Sequence, residues 1–437
     1  MAPELSALIV DDEADIRELV TMTLERMGLK CTGAANVREA MEALEDTTFH
    51  FCITDMKMPD GDGIQLIHHC ARQYPDMPLA MITAFGNMET GVAALKAGAF
   101  DVVAKPIDTN RLRDLATAAL RLSRVPGVLP PQCLNILSGG SATMSRLRAD
   151  LHKIARTQAP VVIRGPAGSG KEDFAQAIHL LGSRHDAPFI FINCASVGVD
   201  EIEQEIFGSN SHTGAVTEAN GGTLFINAIE HLNHDLQGRI LRLIQERRFR
   251  RPGYLSDDDS DVRIITGTTA DPETLVANGS LRQDLYYRLN VVNLAVPALA
   301  NRPEDLPTIV QSYLHTYALA WDMPDVSMSS EALALLTSHP FPGNVRELEN
   351  VLQRAFTMME GEVIQASDLQ LTSMPPTAPD LPPGGTVTDL EGYLERLERQ
   401  AIEGALQATR WNKTAAAEKL GISFRALRYR CKKLGID

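Results

Sequence analysis

Four short, mostly apolar runs in the first 120 residues each end on a polar residue. ALIV at 7–10 stops at Asp11-Asp12, FCIT at 51–54 stops at Asp55, LAMI at 79–82 stops at Thr83, and DVVA at 101–104 stops at Lys105. After the first run, apolar residues recur at helical spacing from Ile16 to Met27. Strands alternating with helices predict an α/β domain, a doubly wound parallel sheet with helices on both faces. In such sheets functional groups collect at the carboxyl ends of the strands, where each of these polar residues falls. A second region of this kind opens at 160–180, PVVIRGPAGSGKEDFAQAIHL, as an apolar strand, a glycine-rich loop and an amphipathic helix. Near the C-terminus, LEGYLERLERQAIEGALQ, within 389–407, spaces apolar residues as a dimerising helix does. NKTAAAEKL, the turn Gly421-Ile422-Ser423 and FRALRYRCKKL then read as two helices about a tight turn, with small alanines for close packing.

Two proline-rich stretches, 124–133 and 373–385, read as linkers. They predict three domains, at 1–123, 135–372 and 386–437, as expected of a 437-residue chain too long for one core. The acidic run SDDDSD at 256–261 reads as a solvated turn. A net charge of −15 argues against a general nucleic-acid coat. From Arg410 onward, however, eight Lys or Arg face only Glu418 and Asp437, which points to local contact with nucleic acid. The six cysteines form no C-x-x-C pair and read as reduced, buried thiols. The N-terminus lacks the pattern of a signal peptide, and no apolar run approaches the roughly 20 residues of a membrane helix. A cytoplasmic protein without membrane contact is expected.

Asp11, Asp12 and Asp55 meet in one acidic pocket if the parallel sheet forms, with Thr83 and Lys105 beside it. Clustered carboxylates repel one another, and a hard divalent cation such as Mg2+ holds them ionised. A carboxylate beside that ion attacks a phosphoryl group to give an aspartyl phosphate, with Lys105 and Thr83 on the phosphoryl oxygens. With Pro59, Gly63 and the Lys105-Pro106 pair in step, residues 5–120 resemble a receiver domain. The resemblance implies Asp55 as phosphoacceptor, Asp11, Asp12 and the main-chain carbonyl of Lys57 as metal ligands, and Thr83 and Lys105 as switch residues. It also implies a sensor histidine kinase as partner. Receivers of this type carry Tyr or Phe three residues before the lysine; here that residue is Val102.

In the central segment, Gly165, Gly168 and Gly170 let a loop turn its N–H groups inward. Lys171 reaches the β/γ-phosphates, and the helix N-terminus adds its dipole. ATP or ADP is the expected ligand. The motif in general continues with Ser or Thr; here it continues with Glu172. GxxGxGKE resembles the P-loop of the NtrC-like activators, AAA+ proteins that open promoters for sigma-54 RNA polymerase. EIFG (205–208), GGTLFI (221–226), DVRII (261–265), LRQDLYYRLNVV (281–292) and FPGNVRELENVLQRA (341–355) follow in family order. The resemblance, over about 138–370, implies an α/β P-loop domain with a helical lid. It casts Arg282 and Arg288 as arginine fingers toward a neighbouring subunit and Arg346 as the sensor arginine. The chain departs from the family at the hydrolytic parts. Asn227-Ala228 stands where Asp-Glu orients the metal and polarises water, and Thr269 stands at the sensor asparagine. The loop that touches sigma-54 is shortened to Thr213-Gly214-Ala215, with His212 in place of a phenylalanine. Nucleotide binding without appreciable ATPase activity is therefore expected; the alternative is that a neighbouring residue such as Glu230, awkwardly placed two residues on, substitutes for Ala228.

The C-terminal pair resembles the Fis-type helix-turn-helix of the same family, an all-α domain. It implies promoter or enhancer DNA as partner, with Arg425, Arg428 and Arg430 near bases and Lys432 and Lys433 closer to phosphates. The expectation is a phosphorylation-controlled DNA-binding regulator that forms a dimer or ring and acts on RNA polymerase of undetermined sigma form. The alternative is a working ATPase that activates sigma-54 transcription. A third reading is a scaffold that sequesters partner subunits in mixed rings.

Overall fold

The computed structural model describes residues 5–83, 88–122 and 138–371, apart from a few loop positions (199–200, 210–211, 255, 322, 324–325 and 360), together with isolated residues at 133–137 and 399–431. Residues Met1–Gln370 form one compact unit and Leu371–Asp437 a second. Two of the three domains expected from sequence thus pack together, for a reason visible in their charges.

The N-terminal domain builds strands β1 (Ser6–Val10), β2 (Lys30–Ala34) and β3 (Phe51–Asp55) around helices α1 (Ala14–Glu25) and α2 (Val37–Asp46). It continues through α3 (Gly63–Gln73), β4 (Leu79–Thr83), α4 (Met88–Ala97), β5 (Asp101–Ala104) and α5 (Thr109–Leu122). The sheet is all parallel in the order β2-β1-β3-β4-β5. Alternation within a strand explains its two cores. Leu8 and Val10 join Leu66 and Ile67 of α3, whereas Ala7 and Ile9 join Val20 of α1 and Leu115 of α5. Asn36 caps α2 by accepting the Glu39 N–H at 2.9 Å, and Asp60 reaches from a distant turn to the Val37 and Arg38 N–H groups at the same helix start.

The central domain runs α6 (Ala142–Ala155), β6 (Val161–Arg164), α7 (Lys171–Leu180), β7 (Phe189–Asn193), α8 (Ile202–Phe207), α9 (Ala215–Glu218) and β8 (Thr223–Asn227). It then adds α10 (His234–Glu246), β9 (Arg263–Thr268), α11 (Pro272–Ala277), α12 (Gln283–Leu289) and β10 (Val292–Ala295). The parallel order is β10-β6-β9-β8-β7. A helical lid follows: α13 (Leu306–Ala320), α14 (Ser330–Ser338) and α15 (Asn344–Met358). The acidic run at 256–261 is not a bare turn. Its centre forms a hairpin with Arg248–Phe249, and Asp257, Asp258 and Asp259 pair with Arg250, Arg251 and Arg248 at 2.7–2.8 Å. The preceding arginines, each seven to eleven residues upstream of its partner, neutralise it.

In the second unit the described side chains of Ile402, Leu406, Ala417, Leu427 and Cys431 are buried. Ile402 with Leu406 and Leu427 with Cys431 keep the four-residue spacing of a helix face. Arg425, Arg428, Arg430, Lys432 and Lys433 lie outside the described residues. All the cysteines are free, and all but Cys31 are buried. No described helix is long and apolar enough to cross a membrane.

Candidate functional site

The sheet order brings the N-terminal polar residues to one edge. Lys105, just past β5, places its Nζ 2.8 Å from Asp55 Oδ1, 3.4 Å from Asp11 Oδ2 and 2.9 Å from Glu13 Oε1. Asp55 Oδ2 accepts the Lys57 N–H at 2.8 Å, which fixes the carboxylate beside the backbone expected to offer a carbonyl. Thr83 ends β4 with its hydroxyl toward Met56 Sδ at 3.5 Å. Burial raises the Asp11 carboxyl above its ordinary value; the Glu13 N–H and Lys105 oppose this and the Asp55 charge adds to it. Burial works against the Lys105 charge, yet its bonds to Asp55 and Glu13 and the charge of Asp11 hold its pKa above the usual lysine value.

Asp12 is exposed, and among the described residues no three His, Cys, Asp or Glu side chains group closely enough to hold a metal. Asp11 and Asp55 alone meet, with the Lys105 ammonium between them. That donor set still suits Mg2+, which keeps several waters and needs only one or two carboxylates. Asp11 Oδ2 is buried with the Lys105 ammonium at 3.4 Å, a position that a bound cation would take over. Glu13 was not singled out by sequence, because nothing in its spacing marks it as a third partner of Lys105.

In the central domain Gly168 and Gly170 take φ of 71° and 92°, conformations that glycine alone adopts freely. The loop closes over Lys171, whose Nζ donates to the carbonyls of Gly165 (2.7 Å) and Pro166 (3.0 Å). Burial lowers the lysine pKa; Arg346 works in the same direction and Glu230 against it. The lid seats directly on this loop, for the Arg346 N–H donates to the Gly168 carbonyl at 3.1 Å and Asn344 Nδ2 to the Ala167 carbonyl at 2.9 Å. Arg346 and Glu172, the latter in the first turn of α7, are electrostatic neighbours.

Strand β8 ends beside this loop on Asn227, whose Oδ1 is buried without a hydrogen-bond partner. Ala228 follows with a left-handed backbone, φ 57° and ψ 48°, and starts a single 3-10 turn, Ile229–His231. That turn sends Glu230 back over the end of β9. There Glu230 Oε1 accepts from the N–H of Thr269 at 3.3 Å and from its hydroxyl at 3.2 Å. The shortened loop closes tightly: a Cβ on Gly214 would stand 2.1 Å from the Gly208 nitrogen, and His212 faces Glu205 at 3.8 Å. Of the two finger arginines, Arg282 is held by Asp284, with its Nη2 at 2.7 Å. Arg288 is desolvated, with a buried Nε lacking a partner and the charge of Asp101 acting on it from the N-terminal domain.

Asp101 belongs to a charged cluster that joins the two domains, which sequence alone did not reveal. Arg111 of α5 bonds Asp101 at 2.5 Å and lies 3.9 Å from Asp261, just ahead of β9. From the central domain Arg247 reaches Asp101 at 3.8 Å and also pairs with Asp261, which Arg184 holds at 2.9 Å. Burial raises the Asp261 carboxyl, and the three arginines Arg184, Arg247 and Arg111 override it to leave the pKa lowered. The Gln158 N–H donates across the same junction to the Phe100 carbonyl at 2.8 Å.

Comparison with known proteins matches four domain families in order. These are the response regulator receiver domain (7–117), the sigma-54 interaction domain (137–295), the AAA+ ATPase lid domain (300–380) and the bacterial regulatory protein, Fis family (393–434). The response regulator protein PilR of Pseudomonas aeruginosa is 45% identical over 99% of both chains. The nitrogen assimilation regulatory protein NtrX of Azorhizobium caulinodans is 34% identical over 98% of this chain and 99% of its own. The crystal structure of NtrX from Brucella abortus in complex with ATP is similar at 32% identity and a TM-score of 0.52, covering 99% of this chain and 100% of that one.

Proposed function

This chain belongs to the response regulators of the sigma-54 activator family, and from that premise we propose a DNA-binding transcription regulator whose central domain binds nucleotide and assembles without working as a motor. In this reading a sensor histidine kinase phosphorylates Asp55, with Asp11, Asp55 and the Lys57 carbonyl holding Mg2+ and the exposed Asp12 facing it from the rim. Mg2+ supplies charge neutralisation there. Lys105 turns from the carboxylates to the phosphoryl oxygens, and Thr83 donates to one of them. The P-loop, Lys171 and Arg346 take ATP or ADP, a reading that the ATP complex of the NtrX relative supports. The helix-turn-helix binds promoter or enhancer DNA, with Arg425, Arg428 and Arg430 as base readers and Lys432 and Lys433 on phosphates.

The observation that carries the reading is the end of β8. A neutral asparagine oxygen and an alanine methyl occupy the two positions where the family places carboxylates. The loss of one well-placed catalytic group costs about 10²–10⁴ in rate, and two are absent. The closed loop from Gly208 to Gly214, lacking the phenylalanine, argues in addition against remodelling of sigma-54. The competing reading, an active sigma-54 ATPase, is favoured by the retained P-loop and by Arg282 and Arg288.

The test is ATP turnover by the parent beside an Asn227→Asp/Ala228→Glu double variant. Slow turnover in the parent, above background, that rises at least about 100-fold in the variant is the expected outcome. Rapid turnover in the parent would make sigma-54 activation the leading function.

A further inference from the structure

We propose that Glu230 is the catalytic base of whatever slow ATP hydrolysis this chain retains, a carboxylate moved two residues along from its place in the family. The proposal rests on the reading that the P-loop binds ATP. Its ground is the path of the backbone after β8. A carboxylate two residues beyond Ala228 lies out of register if the chain continues extended. The left-handed Ala228 and the 3-10 turn from Ile229 to His231 instead fold it back over the sheet.

Three observations then place Glu230 within the nucleotide site. Its Oε1 is fixed by two donors from Thr269, the residue at the sensor position. Thr269 follows Thr268, whose carbonyl accepts the N–H of Gly165 at the start of the P-loop at 3.2 Å, and the Glu230 charge acts on Lys171 in that loop. Its Oε2 is buried with no hydrogen-bond partner, a free acceptor held beside the groups that grip the phosphates. A carboxylate oriented through one oxygen and unpaired at the other can take a proton from a water that bound nucleotide brings beside it.

The step balances without an additional reactant. The oxygen of a water attacks the γ-phosphorus while the bond from that phosphorus to the bridging oxygen of the β-phosphate breaks. ADP leaves with that electron pair, and the water proton passes to Glu230 Oε2 and from there to solvent. Thr269 is a positioning residue in this scheme, and Asn227 takes no proton. Base and water are not in the family's arrangement, so turnover stays slow.

The experiment measures ATP turnover and ATP affinity separately, the latter with a fluorescent ATP analogue, for the parent, Glu230→Gln and Glu230→Asp. Glutamine keeps an oxygen for the Thr269 donors and loses only the base. The expected result is slow but measurable turnover in the parent, a fall of about 100-fold in Glu230→Gln with affinity unchanged within about twofold, and partial recovery in Glu230→Asp. Equal turnover in parent and Glu230→Gln overturns the proposal, as does a parent that binds ATP and does not hydrolyse it. A parent that fails to bind ATP overturns the nucleotide reading itself, and this proposal with it.

Discussion

His179 shows how far a single side chain can depart from its ordinary behaviour in this fold. It is 3% exposed on α7, with Nδ1 2.9 Å from the Thr223 hydroxyl, and burial together with the charge of Arg263 lowers its pKa to about 4. An unfolded histidine binds its proton near pH 6.5. Between pH 6.5 and about 4 the unfolded chain is therefore protonated here and the folded chain is not. The stabilising contribution of this group is complete above pH 6.5 and is lost as the pH falls toward 4, about 3 kcal/mol over the window. Denaturant midpoints measured at pH 7 and pH 4.5 should converge for His179→Gln relative to the parent. An identical pH dependence in both proteins would assign the acid sensitivity elsewhere. At the same scale Arg288 feels the charge of Asp101 across the junction of two domains, although the sequence marked it only as a motif position.

At the scale of the element, the P-loop is a geometric device more than a chemical one. A Cβ on Gly168 would stand 2.2 Å from the carbonyl oxygen of Gly343, and the residue sits at φ 71°. Gly168→Ala must therefore distort the loop and push away the lid helix α15 at once. Loss of at least about tenfold in ATP-analogue affinity is expected, whereas retained affinity would show that the lid does not set the site. Much of this was legible in the sequence. The strand-end rule located Asp11, Asp55, Thr83 and Lys105, because alternating strands and helices leave a parallel sheet few other arrangements. The P-loop announced itself through its glycines. Sequence offered Glu230 only as an awkward substitute two residues along, because its return to the site depends on one left-handed alanine that no propensity favours. Asp12 was placed with its neighbour Asp11, yet the chain turns into α1 there and leaves it on the rim. The acidic run at 256–261 was misread because its partners lie across a hairpin rather than beside it in sequence.

At the scale of the whole molecule, the N-terminal and central domains are held as one unit by Asp101 and Asp261 set among Arg111, Arg184 and Arg247. Positive charge is in excess there, so removal of one carboxylate leaves arginines facing one another. Asp101→Asn should weaken docking by on the order of 2 kcal/mol, between the values for exposed and buried pairs. It should raise the radius of gyration in small-angle scattering, most at low salt. Unchanged scattering would show that apolar contact alone holds the domains. Phosphorylation should cause a comparable change in the parent and none in Asp55→Asn. Strand β5 carries Lys105 just beyond its carboxyl end and Asp101 at its amino end, four residues that span about 13 Å. Lys105, which the proposed reading turns toward the phosphoryl group, and Asp101, which grips the central domain, are thus the two ends of one stiff rod. Coupling through such a rod obeys thermodynamic reciprocity. If a phosphoryl mimic such as beryllofluoride loosens the grip on Arg247, nucleotide-driven release of that grip must tighten beryllofluoride binding by the same factor. In the proposed reading the N-terminal domain then senses nucleotide in the central domain by the same factor with which it acts on it.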